Sequence, residues 1–217
     1  MDFFKIVLSE VKSGPRKGEY DIIPDFQVSR FTDLMVKGKQ FYAIWDEERQ
    51  LWSTDEYDVQ RLVDAELKRY ADNLDISAPF SVKYLRSSAN GSWRAFRNFI
   101  NLLSDNSHEL NSTLTFLNTP VKKEDYVSHR LSYALVPGDC PAYDELLGTL
   151  YSVEERAKIE WIIGAIVAGD SKFIQKFGVF YGPPGSGKGT VLDIIERLFH
   201  GYTTSFDAKA LGNANAQ

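Results

Sequence analysis

The stretch Lys176-Phe177-Gly178-Val179-Phe180-Tyr181-Gly182-Pro183-Pro184-Gly185-Ser186-Gly187-Lys188-Gly189-Thr190 constrains this chain more than any other. An apolar run leads into a glycine-rich turn, and a helical pattern follows. Gly182 and the pair Gly187-Lys188 have the spacing of a phosphate-binding loop, in which backbone N–H groups wrap a phosphate and a lysine neutralises it. Phe173 to Tyr181 reads as a strand. Val191, Leu192, Ile194, Ile195, Leu198 and Phe199 recur as an apolar helical stripe, so the phosphates would sit on a helix N-terminus. The candidate nucleotide contacts are therefore Gly182, Pro183, Pro184, Gly185, Ser186, Gly187, Lys188, Gly189 and Thr190. Gly189 stands where Ser or Thr normally offers a hydroxyl to Mg²⁺. Thr190, one residue later and about 100° further round a helix, is the candidate metal contact in its place.

The chain has 217 residues, 43% of them hydrophobic, enough to build a proper core. Its longest apolar run, Trp161 to Ala168, is far short of the roughly 20 residues that span a bilayer. The N-terminus Met1-Asp2-Phe3-Phe4-Lys5 lacks the pattern of a secretory signal, so the expectation is a cytoplasmic protein with no membrane contact. Cys140 is the single cysteine, which excludes a disulfide framework, and His108, His129 and His200 show no metal-ligand spacing. A net charge of −5 argues against a general nucleic-acid coat but leaves room for a local basic stripe.

Taken in order, Phe3 to Val11 and Tyr20 to Pro24 read as strands joined by the basic turn Lys12 to Gly18. Phe41 to Trp45 and Leu51-Trp52 flank a polar turn and form a second hairpin. Ser53 and Glu56 offer a capping box before a helix whose Val59, Leu62, Val63, Leu67 and Tyr70 share one face. Phe80 to Arg86 is a short strand. Trp93, Phe96, Ile100 and Leu103 then recur at helical spacing, with Arg94, Arg97, Asn98 and Asn101 on the outer face. Aromatics interleaved with arginines can stack on bases, but aromatics at helical spacing are more often core. Leu114 to Thr119 reads as a strand and Leu131 to Val136 as an extended segment, before the punctuation Pro137-Gly138-Asp139-Cys140-Pro141. Ala142 to Leu150 is a short helix. Ser152 and Glu155 cap a longer one that ends at Gly169, with Ile159, Ile162, Ile163, Ile166 and Val167 as its buried face.

Nucleotide hydrolysis also needs an acid for metal and water, and usually an arginine to meet the developing charge. After Thr190 only Asp207 follows among His200 to Gln217, and no apolar strand leads into it. The expectation is that these residues open an ATPase domain whose acidic partner lies further along a longer chain.

From Thr115 to Tyr202 the order of features resembles the superfamily 3 helicases of phages and large DNA viruses, within the AAA+ group. The resemblance rests on Phe116-Leu117-Asn118-Thr119-Pro120, on Pro137-Gly138-Asp139-Cys140-Pro141, on the helical segment from Ala142 to Gly169, and on Val179-Phe180-Tyr181-Gly182 with the loop. More weakly, the N-terminal region is similar to the domain that precedes the ATPase in poxvirus-type primase-helicases. The resemblance implies ATP and Mg²⁺ as cofactors, single-stranded DNA as substrate and a homo-oligomeric ring, often a hexamer, working with other replication proteins. It also implies that Gly182, Gly185, Gly187 and Lys188 bind the phosphates, with Thr190 carried over. Families with this helicase often also carry a primase, whose metal site needs closely spaced carboxylates and a histidine; Asp21 and Asp25 flank Pro24 with no nearby histidine and are not taken as that site.

The expected fold class is α/β: an N-terminal α+β domain over 1–136, a helical connector or collar over 137–170, and the start of a P-loop AAA+ domain over 171–217. The expected function is an ATP-dependent DNA helicase of primase-helicase type. Two alternatives stand beside it. The Gly-Lys-Gly-Thr order also occurs in nucleoside monophosphate kinases, whose loop lies close to the chain start. The basic side chains Lys12, Arg16, Lys17, Lys83, Arg86, Arg94, Arg97, Lys122 and Lys123 would suit a non-catalytic DNA-binding or oligomerisation module.

Overall fold

The computed structural model describes residues 1–87, 91–111 and 113–205. Secondary structure is mixed, with two small sheets and a set of helices. The chain separates into two compact units, Met1–Asn111 with Pro120–Ser128, and Ser112–Thr119 with His129–Gln217.

In the first unit, strands β1 (Lys5–Glu10) and β2 (Tyr20–Asp25) form an antiparallel hairpin. Strands β3 (Leu34–Lys37), β4 (Gln40–Asp46) and β5 (Leu51–Ser53) form an antiparallel meander. Helix α1 (Glu56–Asp72) follows, then β6 (Phe80–Val82), which pairs parallel to β2, and helix α2 (Ser92–Leu102). The 3-10 turn Lys123–Asp125 closes the unit.

Because side chains alternate across a strand, the meander feeds two cores. Leu34, Val36 and Ile44 join Phe3, Ile22, Val59, Val63, Leu67, Phe96 and Ile100 in the larger one. Met35, Ala43, Trp45 and Trp52 point the other way, under Tyr126. The aromatics of α2 are thus core: Phe96 and Ile100 are fully buried. Helix α1 starts differently from the expectation. Its cap is Asp55, whose carboxylate accepts from Tyr57 N at 2.9 Å, while Ser53 Oγ accepts from Asp55 N. Glu56 is then the first helical residue, out of reach for a capping box, and pairs with Arg97 instead.

In the second unit, helices α3 (Pro141–Leu150) and α4 (Val153–Ala168) are followed by the single turn α5 (Ser171–Ile174) and by α6 (Lys188–Leu198). The box at Ser152 and Glu155 forms as expected, and Gly169 ends α4 at a φ of +72°. Leu147, Ile159 and Val191 make the core, with Tyr143, Tyr151, Ile163, Phe180 and Ile195 packed against it. Of the expected buried face of α4 only Ile159 is buried, and Ile166 is exposed.

Two expected strands do not form. Residues 175–183 carry no regular structure, and Phe177, Val179 and Tyr181 are exposed although Phe180 packs inward. A strand is completed by neighbours that take up its N–H and C=O groups, and no ladder reaches this segment among the described residues. Segment 114–119 meets 129–133 not in a ladder but through the isolated bridge Thr115–Arg130, with Thr115 N and Oγ1 both donating to His129 O (3.2 and 2.9 Å), Leu131 N to Thr115 O (2.8 Å) and Leu117 N to Tyr133 O (3.0 Å).

The C-terminal end of α6 is fastened to this ribbon. Tyr133 Oη donates to Leu198 O at 2.8 Å, and Tyr202 Oη bonds both Arg130 N (3.0 Å) and Arg130 O (3.1 Å). His129 meets Tyr202 edge-on, and burial holds its imidazole pKa below the ordinary value. A depressed pKa means that the unfolded chain binds more protons. The stabilisation is complete above about pH 6.5 and is lost as pH falls below it. The melting temperature of the second unit is therefore expected to fall between pH 7.5 and 5.5, and the fall should flatten in His129→Gln. An equal slope in both proteins, followed by circular dichroism, would remove His129 as the cause.

Candidate nucleotide-phosphate site

Two glycines make the turn into α6. Gly185 and Gly187 adopt φ of +79° and +77°, the left-handed region where a Cβ is strained. Gly187 is also the N-cap of α6, and a Cβ there would stand 2.7 Å from Leu150 Cδ1, so the last residue of α3 presses on the loop from behind. Gly182 faces Ser186: a Cβ on it would lie 3.1 Å from Ser186 Oγ. Pro183 O accepts from Ser186 N at 3.4 Å, which folds the loop back on itself. Pro184 is exposed.

Lys188 opens the helix and curls over this loop. Its ammonium donates to Gly182 O (2.9 Å), Pro183 O (2.7 Å) and Ser186 Oγ (3.2 Å). The first helical bond runs from Val191 N to Gly187 O, so the N–H groups of Lys188, Gly189 and Thr190 lie in the first turn, where a helix offers no internal acceptor. The first turn contains no acidic side chain to take that role. Gly182, Pro183, Ser186, Gly187 and Lys188 are thus gathered in one mouth at a helix N-terminus, a place that attracts anions. Gly189 and Thr190 are exposed on the first turn.

The cradle fits nucleotide phosphates by its chemistry: glycines where side chains would intrude, orphan N–H donors and one cation. Among the described residues no cluster of three or more His, Cys, Asp or Glu side chains could hold a metal by itself. Mg²⁺ suits such a site as a companion of the phosphates, since it keeps waters and takes few protein oxygens. Asp207 lies outside the described residues.

Several expected basic contacts are already neutralised within the first unit. Arg16 pairs with Glu19 and Asp21 and donates to Ser81 Oγ, and Lys83 also reaches Asp21. Burial opposes the charge of Asp21, yet its hydrogen bonds from Arg16 and Lys83 hold it below the usual carboxylate range. Arg97 pairs with Glu56 and Lys123 with Asp33, while Arg86 lies over the Tyr84 ring and near Asp64. These side chains therefore serve the fold of the first unit.

Sequence reasoning missed the packing that supports the loop. Leu150 against Gly187, Ile162 Cδ1 at 2.8 Å from a Cβ on Gly178, and the tyrosine clamp on α6 join residues far apart in sequence. Comparison of the chain with protein-family models, with curated proteins and with solved structures finds no match. No helix among the described residues is long and apolar enough to cross a membrane.

Proposed function

We propose that this chain is the nucleotide-binding part of an ATP-dependent DNA helicase of the superfamily 3, primase-helicase type. In this reading it belongs to a homo-oligomeric ring that moves on single-stranded DNA in phage or viral replication. The observation that carries the reading is the loop itself, hinged at Gly185 and Gly187 and holding Lys188 at the N-terminus of α6. Lys188 and the first-turn N–H groups bind and orient the β- and γ-phosphates of ATP. Mg²⁺ accompanies them and supplies charge neutralisation during phosphoryl transfer to water. Leu150 and the α3–α4 pair keep the loop from opening backward. Helix α6, clamped at its far end by Tyr133 and Tyr202, is a rigid lever between the phosphates and the 129–133 ribbon. Such a lever is what a motor needs to turn nucleotide occupancy into movement.

The whole protein is expected to separate the strands of a forked DNA duplex with ATP, and its ATPase rate should rise with single-stranded DNA. Conversion of AMP and ATP to two ADP, with no strand separation, would instead establish the kinase reading. Duplex gel shifts and coupled nucleotide assays distinguish the two.

A further inference from the structure

The usual phosphate loop places a hydroxyl directly after its lysine, and here that position is Gly189, which has no side chain. Thr190 is exposed. The hydroxyl that stands beside the lysine belongs to Ser186. Its Oγ lies 3.2 Å from Lys188 Nζ and fills the space over Gly182, where a Cβ would meet it at 3.1 Å. The turn at Gly187 brings these two side chains together from opposite ends of the bend.

An ammonium has three donors, and Lys188 spends them on Gly182 O, Pro183 O and Ser186 Oγ. A phosphate oxygen that recruits Lys188 must displace one of them. The bond to Ser186 is the longest of the three and gives way first. The partners also differ in kind. The two carbonyl oxygens can only accept, and they repel an anion. A hydroxyl can rotate from accepting to donating, so Ser186 alone of the three can pass from holding the lysine to holding the phosphate.

We propose that Ser186 is the positioning residue that turns a hydroxyl toward the magnesium-bound phosphates, in the office that the residue after the lysine holds in the usual pattern. The proposal rests on the nucleotide reading above. It makes Gly182 a spatial requirement of Ser186, and it releases Thr190 from metal contact.

The test is binding of a fluorescent, non-hydrolysable ATP analogue to the full chain, with excess Mg²⁺ and again with EDTA, each variant being checked by thermal melting. Ser186→Ala is expected to weaken binding roughly 10-fold with Mg²⁺ and no more than about 3-fold with EDTA, in line with one hydrogen bond to a charged group. Ser186→Thr should keep affinity within about 3-fold of the parent, and so should Thr190→Ala, a margin worth less than one ordinary hydrogen bond. Should the alanine variant melt early, Ser186→Cys provides the same comparison with the shape kept and the hydrogen bond weakened. A magnesium-dependent loss in Thr190→Ala would overturn the proposal, as would equal losses for Ser186→Ala in both conditions or none in either. Unchanged binding in Lys188→Ala would sink the nucleotide reading itself, whereas loss there with unchanged binding in Ser186→Ala removes only the role of Ser186.

Discussion

Lys188→Ala is expected to weaken binding of a magnesium–ATP analogue by roughly 100-fold while leaving the folded state about as stable as before. The two halves of this expectation have one cause. Lys188 is the first residue of α6, and a cation there faces the positive end of the helix dipole, an arrangement that costs roughly 0.3–1 kcal/mol. Its three hydrogen bonds to the loop, each modest because it replaces a bond to water, offset that cost together with the roughly 1.5–2 kcal/mol of rotamer freedom lost in holding a lysine side chain. Removing the side chain therefore changes stability by no more than about 0.5 kcal/mol, the ordinary range for a partly exposed site. The phosphate, by contrast, loses a charge-assisted bond inside the mouth, worth about 1.5–3 kcal/mol, and its charge is left against carbonyl oxygens. Lys188→Arg should not restore affinity, because a planar guanidinium cannot curl into the space of a compact ammonium. Titration calorimetry beside thermal melting measures both halves. Equal losses of affinity and stability would show that Lys188 is a structural clasp for the loop.

A local misfit of this kind is what the proposed phosphate site would require, since a helix built for stability alone would begin with an acid. The same contrast explains which parts of the molecule were legible in the sequence. Helix α4 could be read because its signals are local: Ser152 and Glu155 lie three residues apart and Gly169 follows the last turn. The loop could be read for the same reason. Strand β3 could not be read, because Leu34, Met35 and Val36 are all buried, two against one core and one against the other, so no polar residue marks the alternation. At α1 two capping residues competed within three positions, and Asp55 won because the chain becomes helical only at Glu56. The segment before the loop has the composition of a strand, but composition cannot supply the neighbours that turn an extended run into one. Nor can any local pattern foresee Leu150 beneath Gly187, the Tyr133 hydroxyl on Leu198 O or the Tyr202 hydroxyl on the backbone of Arg130.

The largest effect on folding is expected from Phe96→Ala, a loss of about 4 kcal/mol for the first unit. Phe96 is fully buried and lies among Phe3, Phe26 and Trp93, with ring centroids 6.3, 5.4 and 5.2 Å away. Truncation forfeits the transfer energy of the ring and opens a cavity lined by rings that cannot easily collapse, since they also hold one another. The lost ring pairs, about 0.5–1.5 kcal/mol each beyond the buried area, are part of that loss, which approaches the whole stability of a small domain. Phe96→Leu keeps most of the volume and should cost about half as much. Exposed Tyr57, by comparison, should tolerate alanine within about 0.5 kcal/mol. The pair of measurements also decides what the aromatics of α2 are for. If they stacked on bases, Phe96→Ala would weaken single-stranded DNA binding and spare the denaturation midpoint. Because they are core, the midpoint in urea should drop first, and any loss of DNA binding should follow the fraction unfolded.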